Sequence, residues 1–224
     1  MLETTESLDR RRASWAELLA DAGFDVTSDR LDTAFKHGWD EFDKRWRANR
    51  QSSVVEVTAD IVSNLELPVG VELEDRLAAA YLEASEDTPR MLLPQVEETL
   101  DRLRGLGLRV GVICDVGTVP SAVIQRWLHE LGVHQHVDHF SFSDEVGVYK
   151  PHPDIFRHAL GGLSVEDPAR AAHIGDLKRT DVAGARAAGM TSVRYAGGRL
   201  DESEGADADH VIDRHLAIFD VLEL

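Results

Sequence analysis

The chain has 224 residues, 43% of them apolar and 29% charged, and carries a formal net charge of −17. That length suits one well-cored domain, or a core that carries a smaller insert. The negative excess repels polyanions and argues against nucleic-acid binding through a broad basic face. No apolar run approaches the ~18 to 20 residues of a membrane span, so no membrane partner is expected.

The opening stretch "MLETTESLDRRR" has neither an apolar h-region nor a small-residue cleavage site, and a cytoplasmic protein is the expectation. Cys114 is the only cysteine, which excludes an intrachain disulfide. The acidic stretch "DESEGADADH" reads as solvated surface. An anionic small substrate stays permitted, because one nearby lysine or helix N-terminus outweighs a distant field.

In chain order, the first part to about residue 90 is helical throughout. Leu8, Arg11, Trp15, Leu18, Leu19 and Ala22 share one face of a first helix, and Phe35, Trp39, Phe42 and Trp46 form a stripe along a second. Both stripes read as packing between helices. A third and a fourth helix are predicted at 54–64 and 72–85, separated by the turn-forming "LPVG".

From residue 91 the pattern becomes short apolar strands alternating with helices. Strands are predicted at 109–115, 139–144, 171–176, 191–196 and 209–212, and helices at 95–106, 119–131, 153–161, 180–188 and 214–222. Continuous apolar strands joined by crossover helices indicate a parallel sheet covered on both faces. In such sheets ligands bind outside the carboxyl ends of the strands. Asp115 and Asp176 stand at two of those ends, Asp181 follows five residues after Asp176, and Lys150 follows a third strand. Acids at strand ends with one lysine suit joint binding of a phosphate and a divalent cation. The histidines of "GVHQHVDH" have spacings that make no recognised zinc pattern, and read as a plain surface loop.

Three stretches carry a resemblance to the haloacid dehalogenase-like (HAD) superfamily, in its subgroup with a helical cap. "LLPQVEETLDRLRGLGLRVGVICD" is similar to the approach to the family's second motif, "SFSDEVGVYKPHPDIF" to the third and "IGDLKRTDVAGARAAGM" to the fourth. The resemblance covers nearly the whole chain. It implies an α/β fold, a Rossmann-like parallel sheet core spanning 91–224, with an all-α helical cap at 7–90. It also implies Mg²⁺-dependent hydrolysis of a small phosphorylated or otherwise anionic substrate. Carried over by position, Lys150 would hold phosphoryl oxygens, and Asp176 would be a catalytic acid and Mg²⁺ ligand. Asp181 would belong to the same metal site, and Cys114 and Asp115 would meet the substrate.

The family's nucleophile lies in a pattern of the type Asp-x-Asp-Gly-Thr at the end of a first strand, and that pattern is absent from these 224 residues. Asp9, the nearest acid to the start, falls on a predicted helix and reads as a surface charge. Cys114 and Asp115 also depart from the second motif, where Ser or Thr is usual: a thiol is a weak donor, and a second acid beside an anion needs a cation to pair with it. Nothing resembling a Cys/His triad surrounds Cys114, which reads as an inert thiol. By resemblance, the absent strand would lie between the strands of "RVGVICD" and "AAHIGD". Their backbones would then stand about two 4.8 Å spacings apart, with unpaired polar groups. The expectation is a hydrolase whose start, with the first strand and the nucleophile motif, is missing from this sequence, or a catalytically silent relative with a binding or structural role. Direct pairing of the two strands, or a homodimer interface, would be other ways to satisfy those edges.

Overall fold

The computed structural model describes residues 5–86, 90–198 and 201–224. It divides into two compact units, one of residues up to Arg90 together with Val116–Ile124, the other of Met91–Asp115 and Gln125–Leu224.

The first unit is built on four helices: α1 (Thr5–Asp21), α2 (Ser28–Arg47), α3 (Val54–Leu65) and α4 (Val71–Glu86). Local chemistry sets their ends. Thr27 caps α2 by accepting from Arg30 N, and Ser53 and Glu56 form a reciprocal capping box at the start of α3. The stripes on α1 and α2 supply one continuous core with α3 and α4, in which Trp15, Leu19, Ala34, Ile61 and Leu77 have essentially no exposed surface. Gly38 lets α2 press on α3, since a Cβ there would stand 2.4 Å from Ile61 Cγ1. The polar atoms inside this core are paired: Trp15 Nε1 donates to Leu77 O at 2.9 Å, and Arg11 donates to Tyr81 O, Tyr81 Oη and Ser85 Oγ. Trp39 departs from its stripe and is 46% exposed.

The second unit runs α5 (Val96–Gly105), β1 (Gly111–Cys114), α6 (Ser121–Glu130, shared with the first unit), β2 (His139–Phe142), α7 (Ser143–Val146), α8 (Pro153–Gly162), β3 (Ala172–Gly175), α9 (Ala183–Ala187), β4 (Thr191–Tyr195), β5 (His210–Ile212) and α10 (Ile218–Val221). All strand pairs are parallel, as crossover helices require. The strands make two separate sheets, β1-β2 and β3-β4-β5. Among the described residues β1 and β3 share no ladder. Strands expected to be covered on both faces are consequently half open: all four residues of β1 are only partly buried, and Ile174 of β3 is 36% exposed.

The apolar packing falls into two clusters, of which the first spans both sheets. Ile155, Phe156 and Ala185 form one small core with Ile113 and Val148 against it, and Val193, Tyr195, Ile212 and Phe219 form another. The predicted strand at 139–144 stops at Phe142, where the chain turns into α7. The predicted helix at 180–188 begins instead with a π turn, Lys178–Val182, and becomes regular only at Ala183. No helix among the described residues is long and apolar enough to cross a membrane.

The acidic stretch 201–209 is more than solvated surface. Asp207 makes a two-point bond to Arg194 at 2.6 and 2.8 Å, Asp209 accepts from Ser192 N and Oγ, and Asp201 accepts from Lys178 N. Three of its aspartates thus latch it onto β4 and the π turn.

Candidate active site

Lys150, Asp181 and Asp115 come together at the carboxyl ends of β1 and β3. Lys150 Nζ donates to Asp181 Oδ1 at 2.7 Å, and both side chains are largely buried, 13% and 3% exposed. Asp115, which follows β1 directly, accepts from the backbone N of Lys150 at 2.9 Å. Asp115 thus braces the loop that carries the lysine, and it is near enough for the Lys150 charge to interact with it. Two fully buried side chains, Tyr149 before Lys150 and Ile155 after it, anchor that loop.

Asp181 is the hub. Its Oδ1 accepts from Lys150 and faces His173 Nε2 at 3.0 Å, while its Oδ2 accepts from Leu177 N at 3.1 Å and Thr180 Oγ1 at 3.3 Å. A carboxylate with two oxygens and four donors is fully engaged. The π turn makes this possible by bringing Asp181 back under Leu177, whose carbonyl accepts from Asp181 N. Burial alone would raise the Asp181 pKa, but the Lys150 ammonium and then His173 outweigh it and hold the carboxyl well below the usual carboxylate range. Burial alone would likewise lower that of Lys150, and Asp181 with Asp115 reverses the sign and keeps it charged.

Asp181, expected to belong to the metal site, has an engaged carboxylate whose geometry suits holding Lys150. Asp176 is different: it is partly buried after β3, and among the described residues no hydrogen bond or ion pair engages its carboxylate. It is the open acid at this mouth. Among the described residues no three His, Cys, Asp or Glu side chains cluster tightly enough to hold a metal ion. The residues present thus supply one candidate Mg²⁺ ligand, and by themselves they do not make a metal site.

Cys114 ends β1 beside Asp115. Burial pushes its thiol up, against the pull of Lys150 and with a smaller push from Asp115, the direction that disfavours a thiolate. Asp9 is exposed on α1 beside Arg12.

Two residues of the site escaped the sequence reading. His173 lies inside β3, buried edge-on against Phe156, with ring centroids 5.1 Å apart. A polar residue within an otherwise apolar strand is the signal, because a buried imidazole needs a partner. Gly175 is the other: a Cβ there would lie 2.1 Å from Asp181 Cγ, so only glycine lets the carboxylate fold back beside the strand.

Comparison with known proteins fits this geometry. A family model described as haloacid dehalogenase-like hydrolase matches residues 8–189. A glyceraldehyde 3-phosphate phosphatase of Methanopyrus kandleri is 34% identical over 163 residues, covering 69% of this chain and 67% of its own. One from Pyrococcus furiosus is 34% identical over 136 residues, covering 58% and 54%. The mouse haloacid dehalogenase-like hydrolase domain-containing protein 3 is 34% identical over 136 residues, covering 59% and 52%. The chain thus matches about half the length of the latter two. Among solved structures, a HAD phosphatase from Thermococcus onnurineus superposes with a TM-score of 0.64 at 23% identity, covering 96% of this chain and 89% of its own. A 2-haloacid dehalogenase from Pseudomonas syringae gives 0.66 at 21%, covering 99% and 93%. These two likenesses bear on the fold alone. With the second, third and fourth motif regions in order along a matched span of residues 8–189, the chain belongs to the haloacid dehalogenase-like hydrolase family.

Proposed function

We propose that this chain is the phosphate-gripping part of a phosphatase-type hydrolase for a small phosphorylated metabolite, and that it becomes catalytic only when a further strand bearing a carboxylate nucleophile completes it. One observation carries the reading: a buried, permanently charged ammonium, Lys150, is fixed 2.7 Å from Asp181 where β1 and β3 end. An ammonium has three donors, so Lys150 can serve Asp181 and still meet a phosphoryl oxygen. Its charge would offset the negative charge that collects during phosphoryl transfer.

The chain's own side chains do the rest of the positioning. Asp115 sets the lysine's loop, His173 and Thr180 hold Asp181, and Asp176 offers the open carboxylate toward a divalent cation. Mg²⁺, when bound, would polarise the phosphoryl group; Asp176 supplies one ligand and the others come from outside these residues. What is missing is the attacking carboxylate. β1 and β3 both end near the Lys150 cluster, and among the described residues they do not pair with each other, so each has one edge without a ladder partner. A strand between them would satisfy both edges and bring a nucleophile to the lysine. Glyceraldehyde 3-phosphate, named for the archaeal relatives, is the first substrate to try.

The test uses p-nitrophenyl phosphate and glyceraldehyde 3-phosphate with Mg²⁺, and two proteins: the 224-residue chain, and the same chain preceded by an apolar strand ending in Asp-x-Asp-Gly-Thr. Turnover by the extended chain alone, lost in Lys150→Ala, supports the proposal. If the short chain turns over substrate, the missing-nucleophile reading is wrong. If the extended chain binds inorganic phosphate through Lys150 yet stays inactive, the protein is a silent relative with a binding role.

A further inference from the structure

The sequence reading set aside the histidines of residues 132–139, and the structure sorts them. His134 and His136 lie in a 3-10 turn, where His136 is buried with Nδ1 3.7 Å from an Asp101 carboxylate oxygen. His139 opens β2 and meets a residue that local spacing could not reveal: His158, nineteen positions later on α8. His139 Nε2 lies 3.2 Å from His158 Nδ1, and Ser141 Oγ, fully buried on the same face of β2, lies 2.8 Å from that Nδ1.

This convergence depends on a particular residue. A Cβ on Gly162, in the last turn of α8, would fall 2.2 Å from His139 Cγ, so glycine makes the space that the ring occupies. The rings are tilted by 44° with centroids 4.8 Å apart, which rules out face-to-face stacking. Two imidazole nitrogens 3.2 Å apart leave room for only one proton on the line between them. An ion that replaces that proton would find two nitrogen donors at once. Tetrahedral zinc with bonds of about 2.0 to 2.1 Å sets its ligand nitrogens about 3.3 Å apart, close to the observed spacing. His158 is exposed, so an ion can reach the pair from solvent.

We propose that His139 Nε2 and His158 Nδ1 form a binding site for a borderline transition-metal dication of the zinc class, steadied by Ser141 Oγ and completed by water. Imidazole donors select zinc, nickel or copper over Mg²⁺, so this site differs in chemistry from the acid-lined mouth at Asp176. It would pin the outer strand of the β1-β2 sheet to α8, and it is independent of the phosphatase reading.

Isothermal titration of the full chain with Zn²⁺ alone, in a non-chelating buffer near neutral pH, is the test. The expected result is one ion per chain with micromolar affinity, weakened more than about tenfold in both His139→Gln and His158→Gln and unchanged in His134→Gln. Unchanged affinity in His158→Gln, or no Zn²⁺ binding by the wild-type chain, overturns the proposal. Histidine ring signals in the NMR spectrum of the wild-type chain decide the matter without any variant: the first equivalent of Zn²⁺ must move those of His139 and His158. Movement of others in their place would also overturn it.

Discussion

The helical unit and the α/β unit solve the same folding problem to different degrees. In the first, four helices close around one core, and the buried Arg11 and Trp15 find their partners inside it. In the second, three strands and two strands form separate sheets, and two small cores take the place of one. A helix satisfies its own backbone, whereas a strand depends on a neighbour, so a bundle is self-sufficient where a parallel sheet is not. Between its two sheets the α/β unit is held by the Lys150–Asp181 pair and by the small core around Phe156, which touches residues that belong to both.

The tryptophans allow this contrast to be tested, because Trp15, Trp39 and Trp46 report on the helical unit and Trp127 reports on the other. In a urea titration followed by indole N–H signals, Trp127 should lose its native resonance at lower urea than Trp15. Coincident loss would mean that the two units fold as one.

The largest expected single-residue effects are matched, one in each unit. Asp181→Ala strands a buried ammonium and should cost about 3 to 5 kcal/mol, read at Trp127 with the Trp15 signal unmoved. Trp15→Ala should cost about 3 to 5 kcal/mol in the helical unit through the cavity it leaves. Gly175→Ala should cost about 1 to 3 kcal/mol, since Asp181 must move away from Lys150 to admit the methyl group. The same substitution should abolish the phosphate binding proposed for Lys150.

The pH dependence of the two units should differ as well. Asp181 is depressed in the folded state, so its contribution is complete above the ordinary carboxylate range near ~4 and is lost as pH falls below it. Lys150 is raised, so its contribution is complete below the ordinary lysine value near ~10.4 and is lost only as pH rises beyond that. Thermal melts read at Trp127 should therefore show a plateau between those limits with an acid shoulder that disappears in Asp181→Ala. The smallest effect is Ser53→Ala, which breaks the capping box at the start of α3 and should cost about 1 kcal/mol, confined to the helical unit.

Much of this was legible in the residues, and the exceptions have physical causes. Helical periodicity placed α3 and α4 within a residue of their observed ends, because amphipathic spacing is a local property. Strand-end logic pointed to Asp115, Asp176 and Lys150, with Asp181 supplied by the resemblance. The resemblance set both acids at one metal site, with Asp176 as the ligand, but the π turn that engages Asp181 has no spacing signature. His173 and the His139–His158 pair were hidden for a related reason: their partners come from other elements, and a one-dimensional pattern does not record which side chains meet. The acidic stretch misled in the opposite direction. Composition marked it as solvent-facing, and only tertiary structure reveals that three of its carboxylates have dedicated donors.

That stretch bears on anyone who would redesign the protein. Replacing Asp201, Asp207 and Asp209 with neutral residues to lessen the acidity would look harmless by charge count, yet it would unfasten β4 from the segment leading to β5. A solubility engineer should leave those three alone and spend substitutions on the exposed glutamates between them.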